Sequence, residues 1–170
     1  MKVAAPLPVA FGLALALVSL AACGGLSGEQ AVELVRRYNA KLIEAYRASD
    51  EQLAAGVCGP GELKKLAGLI AVKRDAGLAL DSRLLSFEVR GVDREGAEVV
   101  VRTEERWYYR DRRIGSGEQV GQDSTDHYLM RYRLRQLGKR WVVDRVEWAA
   151  PPRVGRPRAP LGLPADGGIP

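Results

Sequence analysis

Few side chains in this chain of 170 residues are of a type that does chemistry. There is one histidine, His127, and there are two cysteines, Cys23 and Cys58. Zinc and similar ions need three or four Cys, His or carboxylate ligands at short recurring spacings. No such spacing occurs, so neither a metal site nor a cofactor is expected. Gly115-Ser116-Gly117 lacks the Lys-Ser/Thr of a phosphate-cradling loop and does not precede a helix. Asp123-Ser124-Thr125-Asp126-His127 holds the residue types of a hydrolytic triad, which must form one hydrogen-bonded chain. On a strand, though, neighbours point to opposite faces. His127 then shares a face with Asp123 and Thr125 and turns away from Ser124 and Asp126. No catalytic residue is expected from this stretch.

Glu105 is the more informative acid. It falls in an alternating run on the face that carries Val99, Val101, Trp107 and Tyr109. A carboxyl group sunk in an apolar wall is one way a fold makes a base or a ligand hook. The competing reading is a structural pair with one of the arginines on neighbouring strands. Glu105, Trp107, Tyr128 and Tyr132 are the candidate pocket residues. A pocket filled by these aromatics would leave the surface for docking, whereas an open cavity with Glu105 facing inward would suit a small apolar ligand or acid–base chemistry.

Cys23 carries a different chemistry. Lys2 gives a positive start, an apolar run of about 14 residues follows, and small residues precede the cysteine. That is the order of a secretory signal. The run is shorter than the roughly 20 residues that span a bilayer as a helix. Leu20-Ala21-Ala22-Cys23 resembles the lipobox of bacterial lipoproteins. The resemblance implies cleavage before Cys23 and diacylglycerol on its sulfur, with the membrane as a partner through that lipid. Gly24, where the family's inner-membrane retention signal is Asp, leans towards the outer membrane. Residues 24–28 read as a flexible tether reaching at most about 17 Å, so the folded part is held near the headgroups.

Formal charge is +5. It is spread thinly over helical, strand-rich and tail segments, whereas a nucleic-acid binder concentrates its basic residues; no nucleic acid is expected as a partner. With Cys23 lipidated, Cys58 has no partner for an internal disulfide. It is expected buried, packing as a small hydrophobe, or paired with another chain.

The elements that position these residues follow from periodicity. Val32, Val35, Tyr38, Leu42, Ala45 and Tyr46 predict a helix over 29–49, capped by Ser27 or Gly28. A short helix over 51–57 ends at Gly56 and Cys58-Gly59-Pro60-Gly61. A third covers 61–76, with Leu63, Leu66, Ala67 and Ile70 inward and Leu69 and Val72 widening the arc. From 84 the period becomes two, with a turn over 91–96 and strands over 97–110, 122–136 and 140–148. The outer face carries Arg102, Arg106, Arg110, Arg131, Arg133 and Arg135, either as a solvated, cross-paired face or as a basic docking ribbon. Val146 and Trp148 fall out of step with Trp141 and Val143, which predicts a bulge or twisted end. Residues 149–170 hold six prolines and four glycines without periodicity and read as disordered or extended.

Helices followed by a meander of strands predict α+β, with helices on one face of a curved four-stranded antiparallel sheet. Thr103-Glu104-Glu105-Arg106-Trp107, Tyr128-Leu129-Met130-Arg131-Tyr132-Arg133-Leu134 and Gly138-Lys139-Arg140-Trp141-Val142-Val143 resemble the nuclear transport factor 2-like superfamily, a cystatin-like cone. Within it the likeness is to the intermembrane-space-type domain of plastid-division proteins and their bacterial relatives. The resemblance implies a cone domain over 29–148, between a signal at 1–22, a lipidated tether at 23–28 and the tail at 149–170. The family uses this cone for enzymes, ligand pockets and protein docking alike, so fold alone assigns no activity; the expectation here is a non-enzymatic lipoprotein whose cone docks another envelope protein.

Overall fold

The computed structural model describes residues 25–149 and the backbone of 153–154. Cys23 and its surroundings lie outside the described residues. Helix α1, Gly28–Ala48, opens with a capping box: Ser27 Oγ accepts from Gln30 N at 3.2 Å, and Gln30 Oε1 accepts from Ser27 N at 2.9 Å. Two N–H groups that helix geometry leaves orphaned are thereby satisfied. Its buried stripe is Ala31, Leu34, Val35, Tyr38 and Ala45, with Asn39 also buried. Ser49 closes the helix in the left-handed region, φ 54°.

The segment read as a second α-helix over 51–57 is a single 3-10 turn, Glu51–Ala54. Pairing explains why it stops: Val57 O accepts from Val143 N at 2.9 Å, and Gly59 N donates to Val143 O at 2.8 Å. The backbone after the turn is committed to a sheet edge. Helix α2, Pro60–Asp75, starts on a proline, which lacks only an N–H that has no helical partner there. It buries Glu62, Leu66 and Ile70, while Leu69 and Val72 face solvent.

Strands β1 (Leu78–Glu95), β2 (Glu98–Arg113), β3 (Gln119–Leu137) and β4 (Arg140–Trp148) pair in chain order, all antiparallel. The fold is α+β, two helices on a four-stranded antiparallel sheet, as the pattern predicts. A two-residue strand β5, Arg153–Val154, adds to β3 opposite Asp126 and His127. That pairing is an extended piece of the tail; the remainder of 150–170 lies outside the described residues.

Strand β1 begins six residues before the expected 84 and runs through the expected turn at 91–96. Gly91 marks a bulge instead. The register shifts between Val89 and Gly91, and a Cβ there would stand 2.9 Å from Arg102 Nη2. The actual turn is at Gly96, φ 62°. The out-of-step end of β4 is a bulge as well: Arg133 pairs with Arg145 but Leu134 with Val143, leaving Asp144 extra.

The core lies between the helices and one sheet face. Val99 and Val101 of β2, Tyr132 and Leu134 of β3 and Val143 of β4 meet Ala31, Leu34, Val35, Tyr38, Leu66 and Ile70. Cys58 is buried among them. The outer face is a lattice of cross-strand ion pairs. Arg133 reaches Glu95 and Glu98 at 3.0 Å, Arg131 reaches Glu95 at 2.5 Å, and Arg102 reaches Asp93 at 2.5 Å. Each exposed pair contributes little to stability; together they make this the solvated, cross-paired face of the two alternatives, not a basic ribbon. Val100 and Val142 are fully buried on this outer face, opposite Arg133 and Arg135 in register. Arginine stems can cover such apolar patches while their heads stay wet.

A cavity with Glu105 in its wall

Alternation on β2 sends Thr103, Glu105 and Trp107 to the helix-facing side together, and β3 adds Tyr128, Met130 and Tyr132 opposite. Beneath α1 these side chains do not close completely. A cavity of about 290 Å³ remains, lined by Glu105, Trp107, Tyr128 and Tyr132 with Tyr38, Tyr46 and Leu80 among others. All four candidate pocket residues therefore meet in one space. Trp148 and Leu69 also line it and are 64% and 41% exposed.

Glu105 is only 1% exposed, and its carboxyl group is spoken for. Oε1 accepts from Thr103 Oγ1 at 2.7 Å, Tyr132 Oη at 2.8 Å and Asn39 Nδ2 at 3.4 Å. Oε2 accepts from Trp107 Nε1 at 2.7 Å. No arginine takes part, so the expected ion pair is replaced by four neutral donors. Three of them come from the sheet; the fourth, Asn39, comes down from α1. A buried acceptor with this many donors ties helix to sheet and holds its neighbours' rotamers.

The phenols around the cavity, and the Cys58 thiol in the adjoining core, are held protonated. Burial, reinforced by the nearby Glu62 carboxylate, pushes Tyr46 up to about 12 and Cys58 up to about 12. Burial raises Tyr38 and Tyr132 well above the ordinary phenol range as well. Tyr132 and Tyr38 rings meet edge to face at 5.9 Å, and Trp107 stacks on Tyr109 at 6.1 Å. The lining is mostly apolar and aromatic, and the polar atoms of Asn39, Glu105, Trp107 and Tyr132 are turned towards one another.

Glu62, Asn39 and Leu80 are lining residues that sequence reasoning did not single out. Glu62 Oε1 accepts from Val146 N at 3.1 Å and from Lys65 Nζ at 2.5 Å, so it fastens α2 to β4. A first-turn glutamate reads as a helix-terminus charge, which conceals that use. Asn39 follows Val35 by one helical turn, and that spacing was its only signal.

The triad-like stretch is dispersed. His127 lies on the outer face, where its Nε2–H donates to Glu104 at 2.8 Å. Asp123 accepts from Arg110 and Tyr108, and Asp126 accepts from Tyr128 at 3.1 Å. Among the described residues no group of three or more His, Cys, Asp or Glu is placed to hold a metal. No described helix is long and apolar enough to cross a membrane.

This chain shares a fold with a solved chloroplast domain. The crystal structure of the intermembrane space region of chloroplast protein ARC6 is similar at a TM-score of 0.62, with 16% identity, over 72% of this chain and 95% of that one. At that identity the likeness concerns the arrangement of helices and strands. No family model matches the sequence, and no curated protein matches it.

Proposed function

We propose that the protein is a lipid-anchored, non-enzymatic docking module of the cell envelope. Cys23 would carry the lipid, and the cavity mouth at Leu69 and Trp148 would receive an apolar group of an envelope protein. The observation that carries the reading is the state of Glu105. Both of its oxygens are occupied by donors from its own fold. A base must reach a substrate proton, and this one is turned to Asn39, Thr103, Trp107 and Tyr132. The cavity is thus built to hold a shape. An exposed tryptophan beside an apolar hollow is the composition of a binding hot spot.

Anchoring supports the same role. Lipid on Cys23 confines the domain to a thin layer and raises its effective concentration near membrane partners. The lean towards the outer membrane rests on Gly24 alone. The test is in-cell crosslinking of the anchored chain, comparing wild type with Trp148→Ala. A reproducible envelope partner that is lost in the variant supports docking; the same partners captured equally by both chains would refute it.

A second reading has its own observation. A hollow of about 290 Å³ is close to the lower bound of small-molecule sites, which run from roughly 300 Å³. The occupant would then be a small apolar ligand. Retention of a lipophilic molecule by purified protein, detected by mass spectrometry of an organic extract, separates this from protein docking.

A further inference from the structure

The opposite end of the molecule from Gly25 carries a second concavity. Helix α1 rises along its 21 residues by about 30 Å and ends beside it. A cleft of about 480 Å³ lies between the ends of α1 and α2 and the β2–β3 hairpin. Arg47, Arg74, Arg112 and Arg113 line it together with Ser49, and among the described residues no acidic one does.

The four guanidinium groups are unequally satisfied. Arg47 pairs with Asp81 at 3.0 Å, and Arg113 lies 3.8 Å from Glu118. Arg74 and Arg112 make no side-chain hydrogen bond or ion pair among the described residues. The Nε of Arg112 is buried without a partner among the described residues. Buried N–H donors are usually paired, so an unpaired one in an arginine-lined cleft leaves room there for an acceptor. Arg74 and Arg112 are gathered beside two further arginines without a counter-charge of their own, so the cleft gains most from an anion that several forks can share. Phosphate oxygens match the guanidinium fork bidentately.

We propose that this cleft binds a phosphate group carried by a small soluble molecule. The proposal is independent of the docking role, since it uses none of the residues around Glu105. Given the proposed anchor, the position favours a soluble source: the cleft lies a helix length away from the end at which the chain leads to Cys23.

The experiment is a titration of the full chain with pyrophosphate, followed through the arginine Nε–Hε resonances. Saturable shifts at Arg112 and Arg74 are expected, with affinity falling as salt rises. Arg74→Gln and Arg112→Gln should each weaken binding roughly tenfold to a hundredfold. Arg74 is exposed on α2, so its variant should melt like wild type and report binding alone. Shifts that fail to saturate, or wild-type affinity retained in both variants, would overturn the site. A parallel arm sediments the Cys23→Ser chain with phosphatidylglycerol vesicles. Arg112-dependent sedimentation without pyrophosphate binding would assign the phosphate to a lipid headgroup and overturn the soluble source.

Discussion

Trp107 Nε1 donates a 2.7 Å hydrogen bond to Oε2 of Glu105, two residues back on the same face of β2. The pair is local, yet it is the edge of a network that reaches Asn39 on α1 and Tyr132 on β3. Removing the carboxyl group strands several buried donors at once. Glu105→Ala should cost about 2–4 kcal/mol, and Glu105→Gln less, because one amide oxygen still accepts. Urea unfolding measures both. A Glu105→Gln chain that folds and leaves all cellular activity intact excludes an acid–base role.

Gly59 is required by close approach. A Cβ there would lie 2.6 Å from Asp144 Oδ1 and 2.9 Å from Asp144 Cα, at the β4 bulge. Backbone cannot yield as a side-chain tip can, so Gly59→Ala should destabilise by about 1–3 kcal/mol. Gly56→Ala meets nothing within 4 Å and serves as the control. Equal midpoints in urea for the two variants would contradict the packing argument.

Cys58 should resist alkylation in the folded state. Burial and the Glu62 carboxylate hold its thiol up at about 12, and the reactive species is the thiolate. Iodoacetamide at pH 8 should label it only after denaturant is added. Rapid labelling of native protein would show that the 57–59 segment opens.

Alkaline pH should unfold the protein before it damages it. Cys58 and Tyr46 are raised to about 12 from ordinary values of 9.0 and 10.0. Between those values the unfolded chain has released protons that the folded chain retains, so stability falls as pH rises. Its contribution is complete below pH 9 and is lost towards pH 12. Thermal melts should stay level to about pH 9 and decline above it. The outer-face carboxylates act in the other direction. Glu104 and Asp123 are held low by hydrogen bonds from Arg90 and Arg110, and their small contribution disappears as acid protonates them.

Membrane attachment is predicted to depend on one sulfur atom. Cys23→Ser should move the chain from the membrane pellet to the soluble fraction and abolish palmitate incorporation. A variant that still sediments with membranes would remove the anchor from the proposed function.

What sequence alone determined was whatever depends on near neighbours. Strand alternation is set by backbone pleat, so the common facing of Thr103, Glu105 and Trp107 was legible, as were the stripe of α1 and the bulge near the end of β4. Gly91 misled because glycine marks a bulge and a turn alike, and only pairing with β2 distinguishes them. The short helix over 51–57 failed because Val57 and Gly59 satisfy their backbone groups on Val143, far along the chain. Tertiary structure alone decided who meets whom. Asn39 reaches Glu105 across 66 residues, and four arginines from two helices and one strand converge on a single cleft. Periodicity says which way a side chain points along its own element; the angle at which one element crosses another decides what it finds there.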